Sequence, residues 1–411
     1  MTDTGLSAQT WAFIDSNAGA DVRKLAFAKA PDGVDLKAAL VQIAGRRIAA
    51  VKLPDWASFP RLLYPTHLSM EQCTGQPLAL YKSALVREWL CGIPSFRFAD
   101  LTGGFGVDCF YLSAGCGSCL YNEMNPELCS VAAHNFPMLG RGDIRISNCN
   151  AMPFLDTLAA DSLDIVYLDP ARRDGSGHKL VSIADCSPNV AAMQNRLLDV
   201  SARVLVKLSP MLDIKKVLSE LSCVSRVMAV SVDGECKELL VFMERGFADD
   251  ALIQAVNLDG CGVAGTLLGA SFQEEQSAPL LLDTDGLLLS AGNYLYEPYA
   301  SVMKSGLFHT LSGAFGVAQV GEGSHLFVSK TPVHDFPGRS FRIDRTVPFD
   351  RRSAAAFFDG IGRANIAVRN FPLTADELRR RFKVPDGGPH YVFATTACSG
   401  RRLLVDCSKC S

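Results

Sequence analysis

FRFADLTGGFGVDCFYLSAGCGSCLYNE, residues 96–123, is the stretch that decides the fold. An apolar run closes on Asp100, and three glycines follow within four positions: Gly103, Gly104 and Gly106. Behind them "GVDCFYLSAGC" has helical spacing and "SCLYNE" reads as a second strand. Strand, tight turn, helix and strand make the opening of a βαβ unit. Glycine at the carboxyl end of the first strand admits left-handed backbone and leaves no Cβ between the main chain and a ligand.

The alternation continues downstream. "PELCSVAAHNFPML" predicts a helix, "IRISNCN" a strand, "MPFLDTLA" a short helix and "LDIVYLDP" a strand. After a polar loop come the helix "VAAMQNRLLDVS", the strand "RVLVKLSP", the helix "IKKVLSELS", and a closing pair of strands in "SRVMAVSV" and "KELLVFM". This order predicts an α/β fold, an open doubly wound sheet with its ligand site at the carboxyl ends of the strands. Upstream, residues 1–68 read as a mostly helical region. Then "SMEQCTGQPLALYKSALVREWL" offers Ser69 with Gln72 as a capping box, and Thr74 as cap of a second helix with Pro77 in its first turn. Residues 69–246 form the predicted doubly wound domain. From 247 to 330 the pattern weakens into glycine-rich turns and short strands. Residues 331–411 predict a small α+β domain, with Thr374 and Glu377 as a capping box for the helix "TADELRRRFKV".

A chain of 411 residues with 48% hydrophobic and 20% charged residues is globular and long enough for several domains. No export signal or membrane-length apolar run is visible, so a cytoplasmic protein is expected. Fourteen cysteines then read as free thiols. Cys116 with Cys119, and Cys407 with Cys410, each have half the spacing of a zinc site but lie far apart, and no metal is expected. The net charge of −3 hides an asymmetry, because residues 336–411 hold 14 Lys and Arg against 7 Asp and Glu. A basic tail on an acidic body suggests a polyanionic partner.

The glycine turn is not a dinucleotide fingerprint, since Cys109 stands where the third glycine is needed, and no Walker string occurs. What it resembles is the first motif of class I S-adenosylmethionine (SAM)-dependent methyltransferases. The resemblance implies that Asp100 sits near the ligand's ammonium and that Thr102, Gly103, Gly104, Gly106 and Asp108 belong to the cofactor loop. Glu123, at the end of the second strand, would accept the ribose hydroxyls, and Asn150, read as the end of the third strand, would face the adenine. "IVYLDPARRD" resembles the D-P-P-aromatic motif of amino-methylating enzymes. Asp169 and Pro170 match it; Ala171 and Arg172 do not. Asp169, Pro170 and Arg172 are the expected transfer point, with Asp169 also against the cofactor. Arg172 is placed to stack on a base or hold a phosphate. Gln72, Thr74 and Lys82 either cover the methionine end of the cofactor or serve only as cap and helix surface.

"LSMEQCTGQPLALYKSAL", "YLYEPYASVMKSGLF", "FPGRSFRI", "ANIAVRNFPLTADELRRRFKVPDGG" and "YVFATT" are similar to strings of a bacterial methyltransferase family with a C-terminal THUMP-like domain. The family places a ferredoxin-like segment around residues 288–330 and implies an RNA substrate, tRNA or rRNA. Arg339, Arg369 and Arg380 are the arginines expected to meet RNA, while Phe341, Phe371, Phe382 and Tyr391 read as core. The other classes kept open are an RNA-binding protein that retains a SAM pocket without catalysis, and a methyltransferase acting on a protein or small molecule.

Overall fold

A computed structural model describes residues 5–27, 29–172, 182–259, 264–284 and 286–410. Two compact units emerge: residues 1–225 with 240–248 and 259–264, and residues 226–239 with 249–258 and 265–411.

The first unit opens with helices. Ala8–Ser16 and Leu36–Lys52 pack through Trp11, Ile14, Ala39 and Ile43. Helix α1 (Gln76–Trp89) leads into strand β1 (Arg97–Asp100), helix α2 (Val107–Leu112), β2 (Ser118–Asn122), α3 (Pro126–Met138) and β3 (Arg145–Ser147). Helix α4 (Ala151–Asp156), β4 (Ile165–Leu168), α5 (Val190–Val200), β5 (Arg203–Leu208) and α6 (Ile214–Glu220) complete the alternation. The five strands are parallel and hydrogen-bond in the order β3-β2-β1-β4-β5. This is the doubly wound α/β sheet of a methyltransferase. Its centre is dry: every side chain of β4 is buried, as expected of a parallel strand covered on both faces. Stepping out from β1, the register pairs Asp100 with Tyr121 on one side and with Tyr167 on the other. The ends of β2, β1 and β4 are therefore level, and the residues that follow them meet on one rim.

Three boundaries differ from the sequence reading. Ser69 lies inside the helix His67–Gln72, whose N-cap is Thr66, and Gly75, not Thr74, holds the cap position of α1. The Thr74 hydroxyl instead donates to the buried Asp108 carboxylate at 2.6 Å, a charge-assisted bond. Strand β3 ends at Ser147, so Asn150 is not a strand-end residue; it is the N-cap of α4 and makes no side-chain capping bond.

In the second unit, residues from the β6–β7 hairpin (Val224–Val232 and Glu235–Glu244) are followed by β8 (Leu252–Leu258) and β9 (Ala264–Ser271). Strand β8 pairs parallel to β6 over Leu252–Leu258, so the region predicted to be weakly patterned begins with regular strands. Strands β10 (Tyr294–Pro298), β11 (Ala318–Gln319), β12 (Phe327–Ser329), β13 (Gly338–Pro348), β14 (Ala364–Arg369), β15 (His390–Thr396) and β16 (Arg402–Lys409) form a second sheet. Its order is β11-β12-β10-β13-β16-β15-β14. Alternate residues of its strands feed two cores. Phe341, Phe393 and Val405 face one; Val392, Ala394 and Leu404 face the other, together with helices α7 (Arg351–Phe358) and α8 (Ala375–Phe382). Thr374 and Glu377 form the expected capping box of α8. No helix among the described residues is long and apolar enough to cross a membrane.

Candidate active site

The turn after β1 is built around missing side chains. A Cβ on Gly103 would lie 2.1 Å from the Tyr121 ring, and one on Gly106 would lie 2.8 Å from Phe136. Gly106 also sits at φ +90, which side-chain-bearing residues rarely adopt. Gly104 differs, because a Cβ there would meet nothing closer than 3.8 Å and its face of the loop is open. The loop is held from beneath: Gly103 N–H donates to Asn122 O at 2.8 Å, and the Tyr121 hydroxyl to Gly104 O at 2.6 Å.

Carboxylates rim this turn. Asp100 Oδ1 accepts from Thr102 N–H at 2.9 Å, while Oδ2 is buried without a hydrogen-bond partner. Burial pushes the Asp100 carboxyl well above the usual range, and the nearby charges of Asp108, Asp169 and Glu123 add to the shift. Glu123 follows β2 directly; its Oε2 accepts from Gly104 N–H at 2.9 Å and its Oε1 from Asn125 N–H at 2.8 Å, leaving each oxygen a free lone pair. Asp169 follows β4, and its N–H donates to Thr102 Oγ1 at 2.6 Å. Thr102 thus ties the β1 acid to the β4 acid. Pro170 comes next, and the backbone of Ala171–Arg172 pairs antiparallel with Cys186–Ser187. The side chain of Arg172 and residues 173–181 of the polar loop lie outside the described residues.

Asp108, on α2, is held by three side chains. Its Oδ2 accepts from the hydroxyls of Thr74 at 2.6 Å and Tyr167 at 2.8 Å, and its Oδ1 pairs with Lys82 Nζ at 2.9 Å. Burial alone would raise this carboxyl. The cations Lys82 and Lys207 and the Thr74 hydrogen bond outweigh it, and the carboxyl lies below its ordinary range. Lys82 is fully buried and is no part of a helix surface. Gln72 ends the helix His67–Gln72.

Sequence reasoning missed Lys207. Its Nζ contacts Asp169 Oδ2, and only 13% of its side chain is exposed. The signal was present: a lysine inside the apolar "RVLVKL" must carry a partner to be buried in a parallel sheet. The register supplies that partner, because Leu168 pairs with Val206 and the next residues along are Asp169 and Lys207.

The expected RNA arginines divide between the two faces of the second sheet. Arg339 and Arg369 converge on Glu297, whose side chain is 4% exposed; Arg369 Nη2 is 2.6 Å from Oε1 and Arg339 Nε 2.9 Å from Oε2. Glu297 faces Arg339 directly across β10 and β13. Arg380 is on α8, over the other core, where its Nε donates to Asp376 O at 3.3 Å. Phe341 is fully buried, and Phe371, Phe382 and Tyr391 pack as partly buried core. Among the described residues no group of three or more His, Cys, Asp or Glu is disposed to hold a metal. Cys119 Sγ lies 3.6 Å from Cys109 Sγ, inside the fold.

The donor set fits SAM. A buried, unpartnered carboxylate oxygen on Asp100 matches an ammonium group, the open face of Gly104 offers bare main chain, and Glu123 retains lone pairs for a diol. Comparison with known proteins agrees. Residues 338–409 match a THUMP domain-like family and residues 294–337 a ferredoxin-like domain. A protein of Mycobacterium tuberculosis named as an uncharacterized SAM-dependent methyltransferase is 23% identical over 351 residues, covering 84% of this chain and 88% of its own. A crystal structure from Porphyromonas gingivalis, described as a methyltransferase, is 30% identical and covers 98% of both chains with a TM-score of 0.82. The chain belongs to the family of SAM-dependent methyltransferases that end in ferredoxin-like and THUMP-like domains.

Proposed function

We propose that this enzyme methylates RNA, a base of tRNA or rRNA, by direct displacement at the cofactor's methyl group. The observation that carries the catalytic half is the gathering of three acids on one rim, Asp100 as the last residue of β1 and Glu123 and Asp169 directly after the adjacent parallel strands β2 and β4. The basic composition of residues 336–411 and the THUMP domain-like match support the RNA half. When bound, SAM supplies a methyl activated by its sulfonium charge. Asp100 receives the ammonium, Gly103, Gly104 and Gly106 let main chain approach, Glu123 accepts the ribose hydroxyls, and Asn150 faces the base from the N-cap of α4. Thr102 fixes the spacing between cofactor and transfer point. Asp108, both oxygens taken by protein partners, steadies the loop through α2. Asp169 and the chain turning at Pro170 accept hydrogen bonds from the acceptor and aim its lone pair, so that positioning carries most of the rate. Arg172 meets the base or its phosphate. Arg339 and Arg369 contact the RNA backbone.

In domain terms, residues 1–68 form an N-terminal helical region, 69–246 the transferase, 247–330 the connecting and ferredoxin-like part, and 331–411 the RNA-presenting part. The test is labelled SAM incubated with the protein and, separately, with total RNA, DNA and protein fractions. Label in RNA that disappears with Asp169→Ala supports this reading. Label confined to protein or metabolite, or cofactor binding without transfer, would refute it.

A further inference from the structure

Lys207 lies at the transfer point with no role yet in the reaction. Its position is not incidental. Parallel pairing of β4 with β5 sets it beside Asp169, its ammonium contacts Asp169 Oδ2, and its side chain is more buried than that of Asp169, 13% against 36% exposed. Asp108 on α2 and Cys73 in the turn before α1 also feel its charge. The local field is otherwise acidic, with Asp108, Asp169 and Glu123 all acting on Asp100 and Lys82 already paired with Asp108.

We infer that Lys207 is a positioning residue that fixes Asp169 as a hydrogen-bond acceptor and not a base, which restricts the methyl acceptor to a nitrogen carrying an available lone pair. The inference rests on the reading of Asp169 as the group that faces the acceptor. The chemistry runs as follows. A carboxylate with one oxygen gripped by an ammonium is a weak proton abstractor, and the ammonium has no lone pair with which to take a proton itself. A hydroxyl must lose its proton on the way to the transition state, and this pair offers nothing to receive it. An amine or ring nitrogen attacks as it stands. The carbon–sulfur bond breaks as the nitrogen–carbon bond forms, the sulfur leaves as a neutral thioether, and positive charge appears on nitrogen. Where that nitrogen bears hydrogen, one proton then passes to water. Asp169 steadies the emerging charge through the oxygen that Lys207 leaves to it.

The test has two arms. Calorimetry compares SAM, which is a cation at sulfur, with adenosylhomocysteine, which is not. Removing a cation beside the transfer point favours SAM, so Lys207→Met is expected to shift the ratio of the two affinities toward SAM by about fivefold, with Lys207→Arg unchanged. An unchanged ratio in Lys207→Met overturns the inference; adenosylhomocysteine binding by each variant reports its folding. In the second arm the unmodified enzyme labels total RNA from about pH 6.5 to 9, where the rate is expected to stay flat because no group must first be deprotonated. Nucleoside digestion is expected to find the methyl on nitrogen. A rate rising tenfold per pH unit, or a 2′-O-methyl product, overturns the inference without needing a variant. If RNA takes no label while the affinity ratio still shifts, it is the RNA substrate that fails and Lys207's placement that stands.

Discussion

Asp100 and Asp108 are both buried beside the same glycine turn, yet their surroundings move them in opposite directions. Asp100 has one backbone donor and no cation, so desolvation governs it. The native state then holds its proton more tightly than the unfolded chain, and its contribution to stability falls as pH rises from the unfolded carboxylate value near 3.9 toward the higher folded value. Leaving this acid unpaired costs stability in the free enzyme and creates a socket for a cation. Asp100→Asn is therefore expected to raise the melting temperature of the cofactor-free protein at neutral pH while weakening SAM at least tenfold (about 1.4 kcal/mol), as calorimetry and thermal unfolding would report. A melting temperature that falls, with SAM affinity intact, would contradict the socket. Asp100 was legible in the sequence because an acid ending an apolar strand before three glycines has few other uses. Lys207 was legible only as a lysine in need of a partner, because the parallel register that identifies that partner is a long-range fact. A companion substitution tests the turn. Gly103→Ala drives a methyl into the Tyr121 ring, and overpacking of that kind costs about 1–3 kcal/mol. Urea unfolding would measure the loss, and adenosylhomocysteine affinity should fall with it.

At the scale of elements, the strands and helices of the transferase were readable because their periods are clean and each strand ends in a turn former. The misread boundaries share a cause. Ser69 and Thr74 have side chains suited to capping and Asn150 one suited to a strand end, but tertiary partners or a shifted helix start decide where each element begins, and Asn150 is instead the N-cap of α4. Thr74 spends its hydroxyl on Asp108, which with Lys82 and Tyr167 links α1, α2 and β4. Lys82→Met would strand a buried carboxylate, and losing one partner of such a pair costs about 3–5 kcal/mol. Adding Asp108→Asn should recover much of that loss, so the double variant is expected to be more stable than Lys82→Met alone in urea unfolding. The pH dependence has the opposite sign to that of Asp100. Asp108 is held below its unfolded value, so its stabilisation is present above about pH 4 and is lost as pH falls toward the folded value. An acid-unfolding midpoint unchanged between the wild type and the double variant would show that this link contributes nothing.

Across the whole chain, charge is unevenly divided: residues 336–411 are basic while the rest is acidic. That asymmetry was visible in composition, but the grouping of the arginines was not, because it depends on which face of a sheet each one occupies. Arg339 and Arg369 share the buried Glu297, and the three together carry a single positive charge with two half-exposed guanidinium planes held in place. Each guanidinium has five N–H donors and spends only some of them on one carboxylate, so both retain donors for phosphate. On the proposed RNA reading, holding two arginines still in advance lowers the ordering cost of a phosphate contact. The expected consequence is a change in salt dependence. With Glu297→Gln included so that no buried charge is orphaned, Arg339→Gln and Arg369→Gln should lower the slope of log affinity against log salt by about 1.4–1.8, the loss of two phosphate contacts. Arg380→Gln, on the other face, should leave that slope within experimental error. Filter binding of total tRNA across a salt series measures both. Equal slopes in the triple variant and the wild type would mean that Glu297 and its arginines only brace the sheet, and that the RNA lies on the face of α8.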